Sequence, residues 1–281
     1  MVKIDGINIV KSVFPNGELQ FEPYVVTPSG IITGNVYPSM ELIFNSNDDI
    51  FNLLLYKKYL DNVVPYAQVD LTMKFCPYGQ ADRDFPGSFG TFKYFAKLIN
   101  DAHFRTVTIF DPHSEVMVAT LDRCEALYPI TRFATHKYDL LFYPDAGAAK
   151  KYSEIVDNTH YLTGHKKRNL ATGEIIKYEI LGDQSDIAGK KILIVDDLVV
   201  RGGTYKYAAR ALKDKGATQV DLFITHVMPS AEEFWTKGYS ECGIDNVYTS
   251  NTLCMPWASN FATSFDKDSM WTGNCADFIY K

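Results

Sequence analysis

One stretch of the chain, residues 190–226, limits its fold more than any other. It begins with a predicted strand at 190–195 that is continuously apolar after its two lysines, a pattern typical of a strand that is buried on both faces. Residues 204–215 then follow a helical pattern that ends before Gly216, a common helix C-terminal residue. Residues 220–226 form a second apolar run. Strand, helix and strand in this order predict parallel strands in a sheet covered by helices.

The same alternation runs through both halves of the chain. Strands are predicted at 7–10, 18–21, 24–27, 40–44, 69–75, 106–110 and 138–143. Helices are predicted at 48–59, capped by Asn47 or Asp48, at 91–101 and at 148–156. Each half has enough elements for one α/β unit. We therefore predict two tandem α/β domains, residues 1–130 and 131–281, with the boundary between Leu127 and Lys137 and with mainly parallel sheets flanked by helices.

Composition excludes several classes of protein. The 281 residues carry a formal charge of −6, whereas a non-specific nucleic-acid binder is usually basic. No apolar run reaches the roughly 20 residues of a membrane helix, and no signal segment is visible. The five cysteines are scattered and lack CxxC spacing, which argues against zinc or a disulfide framework. We expect a cytoplasmic protein that binds neither nucleic acid nor membrane.

The chemistry is expected where the apolar strand at 190–195 ends. Two acids follow it, then a short loop with two glycines and a threonine, and then the helix. The acids can accept hydrogen bonds from neighbouring sugar hydroxyls, and the loop amides can bind a phosphate. Thr204 can also cap the helix. A plain strand–turn–helix connection is the alternative. The residues of this predicted sugar-phosphate site are Asp145, which follows the strand at 138–143, and Asp196, Asp197, Arg201, Gly202, Gly203 and Thr204.

Six segments in this order, 14–18, 77–83, 111–114, 143–150, 165–168 and 195–204, resemble motifs of the ribose-phosphate pyrophosphokinase (PRPP synthetase) family. The likeness covers roughly residues 14–253. It implies two domains of the type I phosphoribosyltransferase fold. It also implies an activity, the transfer of the β,γ-diphosphate of ATP to the anomeric hydroxyl of ribose 5-phosphate, with ATP bound on the N-terminal side.

The resemblance gives roles to further residues. Lys166 and Arg168 would supply cations to the migrating phosphoryl groups, and residues 163–173 would fold over the site as a flexible lid. Mg²⁺ would be held by His113 and Asp145, although an aspartate in Pro-Asp-Ala-Gly is otherwise a turn former. The residues implied for ATP binding are Asn16, Glu18, Gln80, Asp82, Arg83 and His113. Asn16 and Glu18 would act across a subunit interface, so a homo-oligomer is expected.

Two departures from the family pattern bear on the substrates. Val200 and Arg201 stand where the family has an acid and a threonine, so the loop loses a negative charge and gains a positive one. Arginine binds phosphates in a bidentate manner. We therefore hypothesise that the acceptor is a larger 5-substituted ribose such as ADP-ribose, and ribose 5-phosphate itself remains open. Gln80 and Ala81 replace an arginine–glutamine pair on the ATP side.

Two other functions remain open. A phosphoribosyltransferase would use the same acidic loop but would consume an activated ribose. A non-catalytic regulatory partner of the same fold would fit the altered Gln80-Ala81 segment.

Overall fold

The computed structural model describes residues 1–9, 11–21, 37–156, 160–168, 175–250 and 252–253. The chain divides into an N-terminal unit, Met1–Leu127, and a C-terminal unit, Tyr128–Lys281. Each unit contains a six-stranded sheet. Among the described residues, no helix combines the length and the apolar character that crossing a membrane requires.

The N-terminal unit consists of eight short strands and three helices within its described part. The strands are β1 (Val2–Ile4), β2 (Ile7–Asn8), β3 (Lys11–Val13), β4 (Leu19–Phe21), β5 (Ser39–Leu42), β6 (Asp70–Met73), β7 (Thr106–Phe110) and β8 (Cys124–Leu127). The helices are α1 (Asn47–Val63), α2 (Thr91–Asp101) and α3 (Glu115–Thr120). The sheet has the order β2-β1-β5-β6-β7-β8, and β5 to β8 are parallel. A separate antiparallel hairpin joins β3 and β4.

The C-terminal unit repeats the architecture with longer strands. These are β9 (Leu140–Tyr143), β10 (Tyr161–Arg168), β11 (Ile175–Leu181), β12 (Lys191–Val199), β13 (Gln219–Val227) and β14 (Asn246–Thr249). The helices are α4 (Ala146–Tyr152) and α5 (Gly203–Asp214), and a π-helical turn spans Phe234–Gly238. The strand order is β11-β10-β9-β12-β13-β14, with every neighbouring pair parallel except β10 and β11.

Strand β12 organises the C-terminal unit because both of its faces are buried. Ile192 and Ile194 pack in the core that contains the inner face of α5, whereas Leu193 and Val195 pack in the core that contains residues of α4. A strand covered on both faces has to be apolar throughout, as the sequence is here. The α/β class with mainly parallel, helix-covered sheets is therefore confirmed.

Several local predictions were wrong. Helix α1 is capped by Ser46 instead of Asn47 or Asp48, since Asp49 accepts hydrogen bonds from the backbone amides of Asn45 and Ser46. Helix α5 starts one residue earlier than expected, so Thr204 does not cap it; the cap position belongs to Gly202 at φ = +77°. Two other predictions have different outcomes. The predicted strand at 24–27 lies outside the described residues and stays a prediction. The prediction that Gly216 follows α5 is confirmed, and Gly216 has φ = +90°.

Candidate functional site

The two acids of the predicted sugar-phosphate site lie inside β12 and do not follow it, because the strand continues to Val199. Side chains alternate between the faces of a strand. Asp196 therefore belongs to the α5 face and Asp197 to the α4 face. Their neighbours agree with this, since Asp196 contacts Tyr205 of α5 and Asp197 lies near Lys151 of α4.

Asp196 is held on both carboxylate oxygens. Its Oδ1 accepts a hydrogen bond from the backbone amide of Asp197 at 3.0 Å, and its Oδ2 lies 2.8 Å from the hydroxyl of Tyr205. Burial, then the charges of Asp197 and Asp145, raise the pKa of Asp196 well above the usual 3.8, and the Tyr205 hydrogen bond opposes this shift. The site therefore favours a proton or a cation at this acid.

Asp197 has a different environment. It is buried, with its side chain 10% exposed, and the ammonium group of Lys151 lies 3.8 Å from its Oδ2. The same ammonium lies 4.8 Å from the centre of the Tyr152 ring, a cation–π arrangement. A buried charge needs such a partner. The two neighbouring acids are thus supported by opposite helices, one through a neutral hydroxyl and one through a cation.

Asp145 ends the connection from β9 and caps α4. Its Oδ1 accepts a hydrogen bond from the amide of Ala148 at 3.0 Å, and its Oδ2 accepts one from Lys166 Nζ at 2.7 Å. Burial acts to raise the pKa of Asp145, but the Lys166 and Ala148 hydrogen bonds outweigh burial and lower it. Asp145 therefore caps a helix, as the turn-forming alternative expects, and its second oxygen pairs with Lys166.

Lys166 lies in a strand, within the stretch 163–173 that the sequence predicts to be a flexible lid. It lies in β10, where it pairs with Tyr178 of β11, and its side chain is 25% exposed. The pairing with β11 is regular to Lys167 and its register shifts before Arg168, which ends β10 and whose side chain lies outside the described part of the chain. Residues 169–174 are also outside it. Residues 163–168 are therefore a strand, and their role as a lid over the site stays a prediction.

Gly164 allows β10, β11 and the end of β9 to approach one another. A Cβ atom at this position would lie 2.1 Å from the Tyr178 hydroxyl oxygen and 2.6 Å from the carbonyl oxygen of Pro144. The Tyr178 hydroxyl donates to that same carbonyl at 3.1 Å. Burial, then the charges of Asp145 and Asp196, raise the pKa of Tyr178. Tyr178 therefore lies within electrostatic range of both acids.

The loop between β12 and α5 has two glycines with different surroundings. A Cβ atom on Gly202 would lie 2.2 Å from the Phe234 ring, so the aromatic side chain requires glycine there. A Cβ atom on Gly203 would meet nothing within 4 Å. Gly203 and Arg201 are exposed, and Thr204 is partly buried in the first turn of α5. Open space at the start of this 12-residue helix suits an anion, because the first amides of a helix point outward.

In the N-terminal unit, two of the predicted ATP-side segments meet. A Cβ atom on Gly79 would lie 3.2 Å from Cβ of His113, and the Ser114 hydroxyl donates to Asp82 at 2.5 Å. Arg83 lies 3.8 Å from Asp82 and is mostly exposed. The short helix Gly79–Ala81 therefore lies against the loop that follows β7. Gln80 and His113 are both exposed at this place.

Asn16 and Glu18 lie in the turn of the β3–β4 hairpin. Asn16 Oδ1 accepts a hydrogen bond from the Glu18 amide at 3.1 Å, and Gly17 has φ = +88°. The turn residues and the neighbouring Phe14 are exposed. Asn16 thus shapes the turn, and the Glu18 side chain is exposed at its surface.

Comparison with known proteins identifies the relatives of this chain. Residues 148–254 match the phosphoribosyl transferase domain family. The ribose-phosphate pyrophosphokinase of Sulfurisphaera tokodaii is 22% identical over 267 residues, which cover 90% of this chain and 87% of that protein. That of Corynebacterium efficiens is 27% identical over 202 residues, 66% of this chain and 60% of that protein. The chain is therefore similar, at low identity, to ribose-phosphate pyrophosphokinases over most of its length.

The fold agrees with this family. The crystal structure of phosphoribosylpyrophosphate synthetase from Mycobacterium smegmatis superimposes with a TM-score of 0.65 at 20% identity, over 88% of this chain and 80% of that one. The likeness shows the shared architecture, in which the C-terminal unit has the type I phosphoribosyltransferase arrangement.

Sequence reasoning missed three residues beside the candidate site, Tyr205, Tyr178 and Lys151. Each contacts one of the acids or lies near it, and no short motif contains such a tertiary contact. Tyr205 directly follows the Gly-Gly-Thr loop, so its position in the first turn of α5 was the one available signal.

Proposed function

We propose that the protein transfers the β,γ-diphosphate of ATP to the anomeric hydroxyl of a ribose 5-phosphate-type acceptor and releases AMP. The observation that carries the proposal is the cluster in the C-terminal unit. There Asp145, Lys166 and Asp196 lie around the carboxyl ends of β9, β10 and β12. Ligands of open α/β sheets bind at such strand ends.

The acceptor would lie across the end of β12. Asp196 and Asp197 leave β12 on opposite faces shortly before its last residue, Val199, and a sugar that binds there would reach both carboxylates. Its hydroxyls would donate to the carboxylates, and its 5-phosphate would bind at the start of α5 beside Gly203. Arg201 is exposed in the same loop and would pair with phosphate oxygens.

Transfer needs cations near the migrating group. The anomeric oxygen forms a bond to the β-phosphorus of ATP, the bond from that phosphorus to the α–β bridging oxygen breaks, and the hydroxyl proton is released. Lys166 would neutralise charge on the migrating oxygens, together with Arg168. In the structure Lys166 pairs with Asp145 at 2.7 Å, so it has to exchange this partner for a phosphate oxygen. On the ATP side, Gln80, Asp82, Arg83 and His113 are the residues proposed to bind the nucleotide.

The residues present fit magnesium. Asp145 and Asp196 both offer carboxylate oxygens, and they lie near each other at the carboxyl end of the parallel sheet. The described residues contain no cluster of three or more His, Cys, Asp or Glu side chains able to hold a metal, so any ion here would have at most two such protein ligands. Mg²⁺ commonly binds through one or two carboxylates and takes its other ligands from water and substrate phosphates. When bound, the ion would neutralise phosphate charge. Asp145 would hold it in the C-terminal unit, and His113 is proposed for the ATP side.

The acceptor is proposed to be a diphosphate ester of ribose, such as ADP-ribose, because Arg201 adds a positive charge where the phosphate binds. The assay offers ATP, Mg²⁺ and either ribose 5-phosphate or ADP-ribose, and measures AMP and the diphosphorylated sugar by mass spectrometry. We expect higher kcat/KM for ADP-ribose. Equal or better turnover of ribose 5-phosphate would refute this choice of acceptor, and turnover of neither would refute the proposed reaction.

A phosphoribosyltransferase activity is the second candidate, favoured by the match of residues 148–254 to that domain family. It would transfer a ribose phosphate to a base and would not cleave ATP. AMP release in the absence of any base therefore separates the two activities. A regulatory partner without activity of its own would release no AMP with any acceptor.

We also propose that the protein acts as a homo-oligomer in the cytoplasm. The exposed turn of the β3–β4 hairpin, with Asn16 and Glu18, would reach a neighbouring copy. Phosphorylated substrates and scattered cysteines fit a reducing compartment. Sedimentation at several protein concentrations tests the assembly, and a monomer at all of them would contradict it.

A further inference from the structure

Tyr205 connects helix α5 to the end of β12 through its hydroxyl group. The side chain is buried, and the hydroxyl lies 2.8 Å from Asp196 Oδ2 and 2.7 Å from the carbonyl oxygen of Leu198. The hydroxyl has one proton and Leu198 O can only accept, so an ionised Asp196 shares that proton with Leu198 O, whereas a protonated Asp196 would donate to the hydroxyl and leave its proton for Leu198 O. The contact fixes Asp196 from the side that faces α5.

The ring of Tyr205 connects the same acid to the phosphate loop. It packs against Phe234, with the ring centres 6.1 Å apart. Phe234 in turn lies so close to Gly202 that no Cβ atom fits between them. One side chain therefore links the carboxylate that would bind the sugar hydroxyls to the loop that would bind the phosphate.

We propose that Tyr205 is a positioning residue that fixes Asp196 in the orientation that binds the acceptor's hydroxyls. This inference rests on the proposed function. Asp196 Oδ1 is held by the Asp197 amide and Oδ2 by Tyr205, so its rotamer is set before any ligand arrives. Each oxygen keeps a further lone pair that can accept from a hydroxyl. A preorganised acceptor group loses less conformational freedom on binding.

The effect should be specific to one substrate. Asp197 is supported from the opposite face by Lys151, so loss of the Tyr205 hydroxyl leaves that acid in place. The ATP-side residues Gln80, Asp82 and Arg83 belong to the N-terminal unit. Tyr205 should thus change the KM for the acceptor without changing the KM for ATP.

The test is Tyr205→Phe, which keeps the ring and its packing and removes the hydroxyl. We expect the KM for the better of the two acceptors to rise about 10-fold, equivalent to about 1.4 kcal/mol, with kcat within about two-fold. Such a pattern means that binding is lost equally in the ground and transition states. Tyr207→Phe is the matched control, because Tyr207 lies two positions further along α5 and is 45% exposed. It should leave both KM values unchanged.

A double-mutant cycle separates positioning from general stability. If Tyr205 acts through Asp196, the variant with both Tyr205→Phe and Asp196→Asn should bind the acceptor no more weakly than Asp196→Asn alone. Circular dichroism checks that each variant is folded. Unchanged acceptor KM in Tyr205→Phe, equal rises in the KM values for acceptor and ATP, or fully additive effects in the cycle would each overturn the proposal.

Calorimetry without ATP distinguishes this inference from the proposed reaction. Ribose 5-phosphate and ADP-ribose are titrated into the wild-type protein and into Tyr205→Phe. If the wild type binds one of them but releases no AMP, the diphosphotransfer fails, while about 10-fold weaker binding by the variant still supports the role of Tyr205. If neither sugar binds the wild type, or both proteins bind equally, the role of Tyr205 is refuted.

Discussion

The most direct test of the structure around the site is Gly164→Ala in the middle of β10. The new methyl group would lie 2.1 Å from the Tyr178 hydroxyl oxygen and 2.6 Å from Pro144 O. Tyr178 could move aside, but it would then lose its hydrogen bond to Pro144. The Pro144 carbonyl belongs to the backbone, so β9 and β10 would have to separate.

Two contributions set the size of the effect. Overpacking of this kind costs about 1–3 kcal/mol, and the lost hydrogen bond costs about 0.5–1.5 kcal/mol. We therefore expect Gly164→Ala to lower the free energy of unfolding of the C-terminal unit by about 2–4 kcal/mol. For a unit of this size the Tm should fall by about 5–15 °C. Calorimetry and urea unfolding followed by circular dichroism measure both quantities.

Gly203→Ala is the matched control, because a Cβ atom there meets nothing within 4 Å and the position is the first of helix α5. Its stability should stay within about 0.5 kcal/mol of the wild type. A Gly164→Ala protein with wild-type Tm would show that Gly164 lies in an open loop, as the sequence alone predicts, and not between two strands.

Three further substitutions test the electrostatics and packing of the C-terminal unit. Lys166→Met should abolish turnover and should move acid unfolding to higher pH. In the wild type the lowered pKa of Asp145 stabilises the fold at pH values above 3.8, the ordinary pKa of an aspartate. This contribution is lost as the pH falls through the lowered pKa. Gly202→Ala should destabilise by about 2–4 kcal/mol, because the methyl group would overlap the Phe234 ring and alanine is disfavoured at positive φ. Tyr143→Phe should raise stability by up to about 1 kcal/mol, since the buried Tyr143 hydroxyl has no hydrogen-bond partner among the described residues.

Each of these tests has a clear contrary result. Lys167→Met, at the exposed neighbour of Lys166, is the control for charge removal and should keep turnover and the acid midpoint. An unshifted acid midpoint in Lys166→Met would exclude the Asp145 ion pair. A Gly202→Ala protein as stable as the wild type would place Phe234 elsewhere, and a clearly less stable Tyr143→Phe would reveal a partner for that hydroxyl.

Sequence patterns predicted the architecture well where a strand is buried on both faces or a helix on one. Strand β12 is apolar along residues 192–195 because helices cover both of its faces, and α5 shows its inner face through Tyr205, Ala208, Ala209 and Leu212. The acids near the end of β12 and the aspartate after β9 were selected from the positions predicted to follow apolar strands. The rule that ligands bind beyond strand ends was enough to select them.

The strand β10 was missed for a physical reason. It contains a run of basic residues and pairs with the edge strand β11, so few of its side chains are buried and the apolar signal is weak. Its sequence has a weak strand pattern, and its pairing with β9 and β11 stabilises it as a strand. Strand formation depends in this way on tertiary context. Tyr205 and Lys151 were missed because their roles come from contacts between elements.

Asp145 serves at once as helix cap, counter-ion of Lys166 and candidate ligand. Because Asp145 has all three roles, the choice of substitution decides what a variant at this position can show. Alanine would fray α4 and release the lysine together, so an inactive alanine variant could not be interpreted. Asparagine is the informative replacement, since its amide oxygen can still receive the Ala148 N–H while the negative charge disappears.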